Sequence, residues 1–129
     1  MKATRSVLLL GVALLALGGC TATGDDEFAK APGVAEVWLV QEKGAFDRET
    51  VAAPSGVVRV TVENRMESPA RVSVLDLATR RPVADFPVGI RQVNWSEATL
   101  APGSYEVVAQ PIGDGATSRS TLRVTAPRS

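Results

Sequence analysis

From residue 35 onward the chain alternates between apolar and polar positions. Residues 57–63 do so most regularly, with Val58, Val60 and Val62 on one parity and Arg59, Thr61 and Glu63 on the other. A period of two over that length predicts a half-buried β-strand with one core face and one wet face. Residues 70–77 alternate in the same way, Val72 and Val74 against Arg71 and Ser73, and residues 105–110 place Tyr105, Val107 and Ala109 together. Residues 35–41 are rich in β-formers around Trp38, and a turn is expected over residues 42–45. Shorter extended runs are expected at 50–53, 82–86, 91–100 and 120–125, the last with Leu122 and Val124 inward.

Proline and glycine mark the breaks. Residues 53–56, 101–104 and 113–115 carry Pro54 with Gly56, Pro102 with Gly103, and Gly113 with Gly115; proline presets φ and glycine tolerates its positive values. Pro82 and Pro87 bracket the 82–86 run, which predicts an edge strand because proline cannot donate to a ladder. In the 91–100 run the apolar phase shifts between Trp95 and Leu100, which predicts a bulge near Glu97. About eight short strands with no convincing helix predict an all-β antiparallel β-sandwich.

The N-terminal stretch is of another kind. Lys2 and Arg5 precede an apolar run from Val7 to Leu17 broken only by Gly11, and Gly18, Gly19 and Cys20 follow. A basic segment, a short apolar segment and small residues at a cut form the layout of a secretory signal, and the run is shorter than the ~20 residues a membrane span needs. Leu17-Gly18-Gly19-Cys20 resembles the lipobox of bacterial lipoproteins. The resemblance implies cleavage before Cys20 and a lipid on its sulfur, with a second acylation usually added at the new amino terminus, so that several chains hold the protein at a membrane. It also implies an address: Thr21, where aspartate would favour inner-membrane retention, favours the outer membrane in an organism that has two. The expected organisation is therefore a signal peptide over 1–19, lipidated Cys20 with a tether over 20–33, and a single domain over 34–129. In the tether, Asp25, Asp26 and Glu27 read as a solvated acidic spacer rather than a cation loop.

Composition then narrows the chemistry. Without Lys2 and Arg5, 12 basic residues face 14 acidic ones, so no basic field exists for nucleic acid. The chain has no histidine, which removes the commonest general base and the commonest metal ligand together. Its one cysteine is Cys20, so no disulfide within the chain supports the fold.

Ala52-Ala53-Pro54-Ser55-Gly56, the valine-rich strand ending in Asn64, and Leu100-Ala101-Pro102-Gly103-Ser104-Tyr105-Glu106-Val107 resemble a cupredoxin-like domain, over roughly residues 40–126. Similar Pro-Gly turns occur in immunoglobulin-like sandwiches. Within the group, the chain looks most like the small cupredoxin-like domain of periplasmic iron-uptake proteins of the imelysin-associated kind. The resemblance implies a Greek-key sandwich. It also implies positions for copper ligands, and there this chain has Arg71 or its neighbours in place of the first histidine and Ala109 and Gln110 in place of the cysteine. Type 1 copper needs imidazoles and a thiolate, so no copper cofactor is expected. In the iron-uptake relatives carboxylates assist metal binding, and Asp47 stands near one such position; a single carboxylate holds no metal.

No enzymatic set emerges. The serines of the domain have no histidine to pair with, and a Ser-Lys dyad would have to use Lys30 or Lys43, in the tether and at an early turn. Asp47, Glu49, Asp76, Asp85 and Glu97 show no spacing that singles out a glycosidase pair. Arg71, Arg80 and Arg81, with Arg59, Arg65 and Arg91, suggest an anion-binding patch, but Glu63, Glu67, Asp76 and Asp85 are interspersed and a charge-mixed surface fits better. Trp95 shares the parity of Val93 and is expected in the core, whereas for Trp38 a core anchor and a surface recognition platform both fit. The expected function is a lipid-anchored, non-enzymatic envelope module without type 1 copper. It would bind a protein or ligand, most simply another envelope protein, at its loop end on the periplasmic side of a membrane. Carboxylate-based iron or copper handling and glycan or cell-wall binding are the alternatives.

Overall fold

A computed structural model describes residues 33–127; the signal peptide, Cys20 and the tether up to residue 32 lie outside the described residues. Nine strands are present among the described residues: β1 (Ala35–Glu42), β2 (Ala45–Phe46), β3 (Thr50–Pro54), β4 (Gly56–Asn64), β5 (Ala70–Asp76), β6 (Arg81–Val88), β7 (Val93–Leu100), β8 (Gly103–Pro111) and β9 (Ser118–Thr125). They form a four-stranded sheet in the order β2-β1-β4-β7 and a five-stranded sheet in the order β3-β9-β8-β5-β6. The all-β sandwich is as expected, and β6 lies at an edge.

The sheets are mixed rather than antiparallel throughout. β1 runs parallel to β4, with Val37 opposite Val60 and Leu39 opposite Val62, and β3 runs parallel to β9. The chain changes sheets between β1 and β3 and again before β4, so β1 and β4 enter their sheet from the same end. Alternation of period two is identical for parallel and antiparallel strands, so the pattern of residues carries no trace of this.

The core is built from the expected parities. Val37 and Leu39, Val58, Val60 and Val62, Val72 and Val74, Tyr105, Val107 and Ala109, and Leu122 and Val124 are all buried between the sheets. Valine suits this arrangement because its branched carbon packs well on a pleated surface. The expected bulge near Glu97 is absent: β7 pairs with β4 in continuous register from Leu100 opposite Gly56 to Val93 opposite Glu63. The apolar shift has a simpler cause, since Ala98 and Leu100 face the core and Val93 and Trp95 face outward. The register instead shifts between Val74 and Leu75, against β6.

Two turns shape the ends of the sandwich. Lys43 and Gly44 both have positive φ, 56° and 79°, the requirement of a two-residue hairpin turn that matches strand twist. This turn folds β2 back on β1 and brings Gly44 against the loop after β8, where a Cβ on Gly44 would stand 3.3 Å from that of Ala116. At the other end the Tyr105 hydroxyl donates to the Ala101 carbonyl at 2.8 Å, tying the Pro102-Gly103 turn to the core.

Candidate functional site

The outer face of the four-stranded sheet is organised in cross-strand tiers. Register sets Glu36, Arg59 and Glu97 in one row, Trp38, Thr61 and Trp95 in the next, and Val40, Glu63 and Val93 in a third. All nine side chains share this face because paired residues point the same way.

The centre of the face is not wet. Arg59 is 3% exposed and Thr61 0%, although neither faces the core. The Arg59 guanidinium lies 3.8 Å from the Trp95 ring centroid, and its Nε and Nη2 donate to Glu97 Oε2 at 3.2 and 3.0 Å. The Thr61 hydroxyl donates to Glu36 at 2.9 Å. Trp38 reaches across from β1, its Nε1 3.4 Å from Glu63 Oε1. Glu63 also accepts from Arg65 at 2.8 Å, and that hydrogen bond, with the Glu63 charge, raises the Arg65 pKa further above its already high ordinary value. Trp95 is therefore half-buried on the outer face, where it covers Arg59, and the expectation of a core tryptophan fails. Trp38 is 37% exposed, so it is not a core anchor. Sequence parity could have placed Trp38, Thr61 and Trp95 on outward positions, but their alignment in one tier depends on which strands are neighbours.

The other sequence candidates are placed differently. Asp47 serves the fold: its Oδ1 accepts from the Val40 N–H at 2.9 Å and its own N–H donates to the Val40 carbonyl at 2.9 Å. The neighbouring Arg48 donates to the Trp38 carbonyl. Together they occupy the free edge of β1 where the two-residue β2 has ended, which blocks pairing with a foreign strand. Among the described residues no three His, Cys, Asp or Glu side chains stand close enough to share a metal ion. Arg71 and Arg81 lie at opposite ends of the β5–β6 hairpin, Arg71 opposite Pro87 and Arg81 opposite Asp76. Arg71 pairs with Asp85 at 2.9 Å, and Arg80 takes a left-handed φ of 65° in the turn between the strands. The three arginines form no common patch.

At the loop end, where the resemblance would put a metal, the side chains are otherwise engaged. Asn64 is buried; its Nδ2 donates to the carbonyls of Ser68 and Gly89 at 2.9 and 3.1 Å, and its Oδ1 accepts from the Met66 N–H at 2.8 Å. Met66 Sδ accepts from the Gly44 N–H at 3.3 Å. Beneath them the Gln41 carboxamide is buried without a hydrogen-bonding partner, as are the Ser118 and Ser120 hydroxyls of β9. With no histidine in the chain and its one cysteine outside the domain, these donors do not fit a blue-copper site. The described residues enclose no ligand-sized pocket.

Among solved structures the chain is similar to auracyanin A, a blue copper protein from the green thermophilic photosynthetic bacterium Chloroflexus aurantiacus. The TM-score is 0.58 at 13% identity, covering 72% of this chain and 100% of that one. A reduced tryptophan-to-tyrosine mutant of amicyanin matches with a TM-score of 0.52 at 17% identity, over 74% of this chain and 86% of that one, and a Cu(I) form of another amicyanin mutant with 0.51, also at 17% identity. At such identities the likeness defines the fold alone, a cupredoxin-like β-sandwich. No family model matches the chain, and no curated protein does.

Proposed function

We propose that this protein is a lipid-anchored, non-enzymatic binding module of the bacterial cell envelope that uses a cupredoxin-like fold without type 1 copper. Its recognition surface is the outer face of the β1-β4-β7 sheet rather than the loop end. One observation carries this reading: Trp38 is 37% exposed in a tier with Thr61 and Trp95, bordered by Glu36, Glu63 and Glu97. An exposed indole held by a hydrogen bond offers contact area at low entropic cost, and aromatic residues of this kind anchor interfaces. The loop end supports recognition less well, because Asn64 and Met66 spend their polar atoms on neighbouring loops.

Two experiments separate the parts of the proposal. A photo-crosslinking residue at position 40, on the same face one tier from Trp38, should give a discrete adduct in the intact envelope, and one at Val83, exposed on the other sheet, should not; adducts from both or neither count against the face. Detergent phase partitioning tests the anchor, since Cys20→Ser should move the protein to the aqueous phase. The exposure of Trp38 also favours a second reading, binding of a neutral cell-wall glycan by ring stacking. The iron-uptake likeness would instead require micromolar metal binding lost in Asp47→Ala, whereas Asp47 is already committed to Val40.

A further inference from the structure

The aromatic face contains a cation clamp that is filled and, two strands away, a tryptophan with the same kind of neighbours. Trp95 and Glu97 hold Arg59, the ring at 3.8 Å and the carboxylate at 3.0 Å. On the other side of Thr61, Trp38 stands between Glu36 in the tier below and Glu63 in the tier above, and it is the more exposed of the two indoles. We propose that Trp38 receives a cationic side chain, arginine or lysine, from a partner protein, with the charge met chiefly by Glu36, which bonds the neutral Thr61 hydroxyl, since Glu63 is already paired with Arg65. This rests on the reading of the sheet face as the recognition surface and names the chemistry of what it recognises.

Charge supports the assignment. The tiers and their ends carry Glu36, Glu42, Glu63 and Glu97 against Arg59, Arg65 and, in the turn after β1, Lys43, while Asp47 and Arg48 at the β1 edge cancel. Arg59 is almost fully buried and held by Glu97, so its charge is the least available to an incoming group. The outer face of the other sheet has the opposite balance, Arg71, Arg119 and Arg123 against Asp85 and Glu106. A basic segment approaching the molecule is thus drawn to the face that bears Trp38 and turned away from the other. A neutral sugar would use the ring but gain nothing from the carboxylates. A cation uses both, because the ring quadrupole and the carboxylates attract it together.

The test uses the full-length protein in detergent, titrated with an acetylated tetra-arginine amide, a tetra-glutamine peptide of the same length and a neutral chitin tetrasaccharide, read by calorimetry. Tetra-arginine should bind saturably and tetra-glutamine should not. Trp38→Leu should weaken tetra-arginine binding at least about fivefold, Glu36→Gln, which keeps the acceptor for Thr61, by roughly two- to fivefold, and 0.5 M salt by about tenfold. Trp95→Phe should have the smaller effect of the two tryptophan changes. Tetra-arginine affinity unchanged in both Trp38→Leu and Glu36→Gln overturns the proposal, as does tetrasaccharide binding that depends on Trp38 while the peptide fails to bind. If Trp38→Leu disturbs folding, Glu36→Gln and the salt dependence decide. Should the position-40 crosslink form while tetra-arginine does not bind, only the charge assignment falls; should the crosslink itself be missing, the underlying reading of the face falls with it.

Discussion

The Arg59 guanidinium lies over the Trp95 ring, 3.8 Å from its centroid, while it bonds to Glu97, and this three-residue unit covers the outside of a sheet whose inside is packed with valine. A buried cation loses its hydration and needs a partner charge and hydrogen bonds to offset that cost. Here the carboxylate and the indole come from the same neighbouring strand, two residues apart. Replacing Arg59 by Met removes the charge but leaves Glu97 without its partner at a part-exposed position, and should lower stability by about 1–3 kcal/mol in urea unfolding. A double-mutant cycle with Trp95→Leu should give a coupling of roughly 0.5–2 kcal/mol, and a coupling near zero would mean that the stack contributes nothing.

Asp47 is expected to behave as an edge residue. Asp47→Ala loses the acceptor for the Val40 N–H, at a cost of about 1 kcal/mol in thermal or urea unfolding. Iron and copper titrations of wild type and variant should be indistinguishable, and a metal affinity that disappears with the carboxylate would refute the structural role.

Asn64 carries the heaviest polar load at the loop end. Asn64→Ala strands the carbonyls of Ser68 and Gly89 and the N–H of Met66 in a part-buried setting, so a loss of about 1–3 kcal/mol is expected. Amide hydrogen exchange should accelerate first in residues 65–69 and 89–92. Acceleration spread evenly over the domain would argue against this local role.

Tyr105→Phe isolates one hydrogen bond, since only the hydroxyl to Ala101 is removed and the ring stays in the core. The expected cost is about 1 kcal/mol, with little change in the slope of the denaturation curve because the buried area is unchanged. Stability equal to wild type would show that the Pro102-Gly103 turn needs no such tie.

Much of the fold was legible from local pattern. The alternation in residues 57–63 placed Val58, Val60 and Val62 in the core, and Tyr105, Val107 and Ala109 followed the same logic, because a strand with one face against a core must sort its residues by parity. That logic stops at the strand. It could not tell a parallel neighbour from an antiparallel one, and it missed the two-residue β2, too short to show any period.

The candidate face was only partly legible, for the same reason. Alternation puts Arg59 and Thr61 on one face of β4 but does not align Trp38 or Trp95 with them, since each strand is sorted separately and only pairing joins them; the expectation of a core Trp95 rests on its parity with Val93, which itself faces outward. By itself the sequence determined the all-β class, the buried valines, the turns and the absence of copper-ligand chemistry, all of which depend on residue type or on neighbours a few positions away. Only the tertiary structure decided that Arg59 is covered, that Trp38 is open and that Asp47 holds an edge, because each depends on strands brought together from distant parts of the chain.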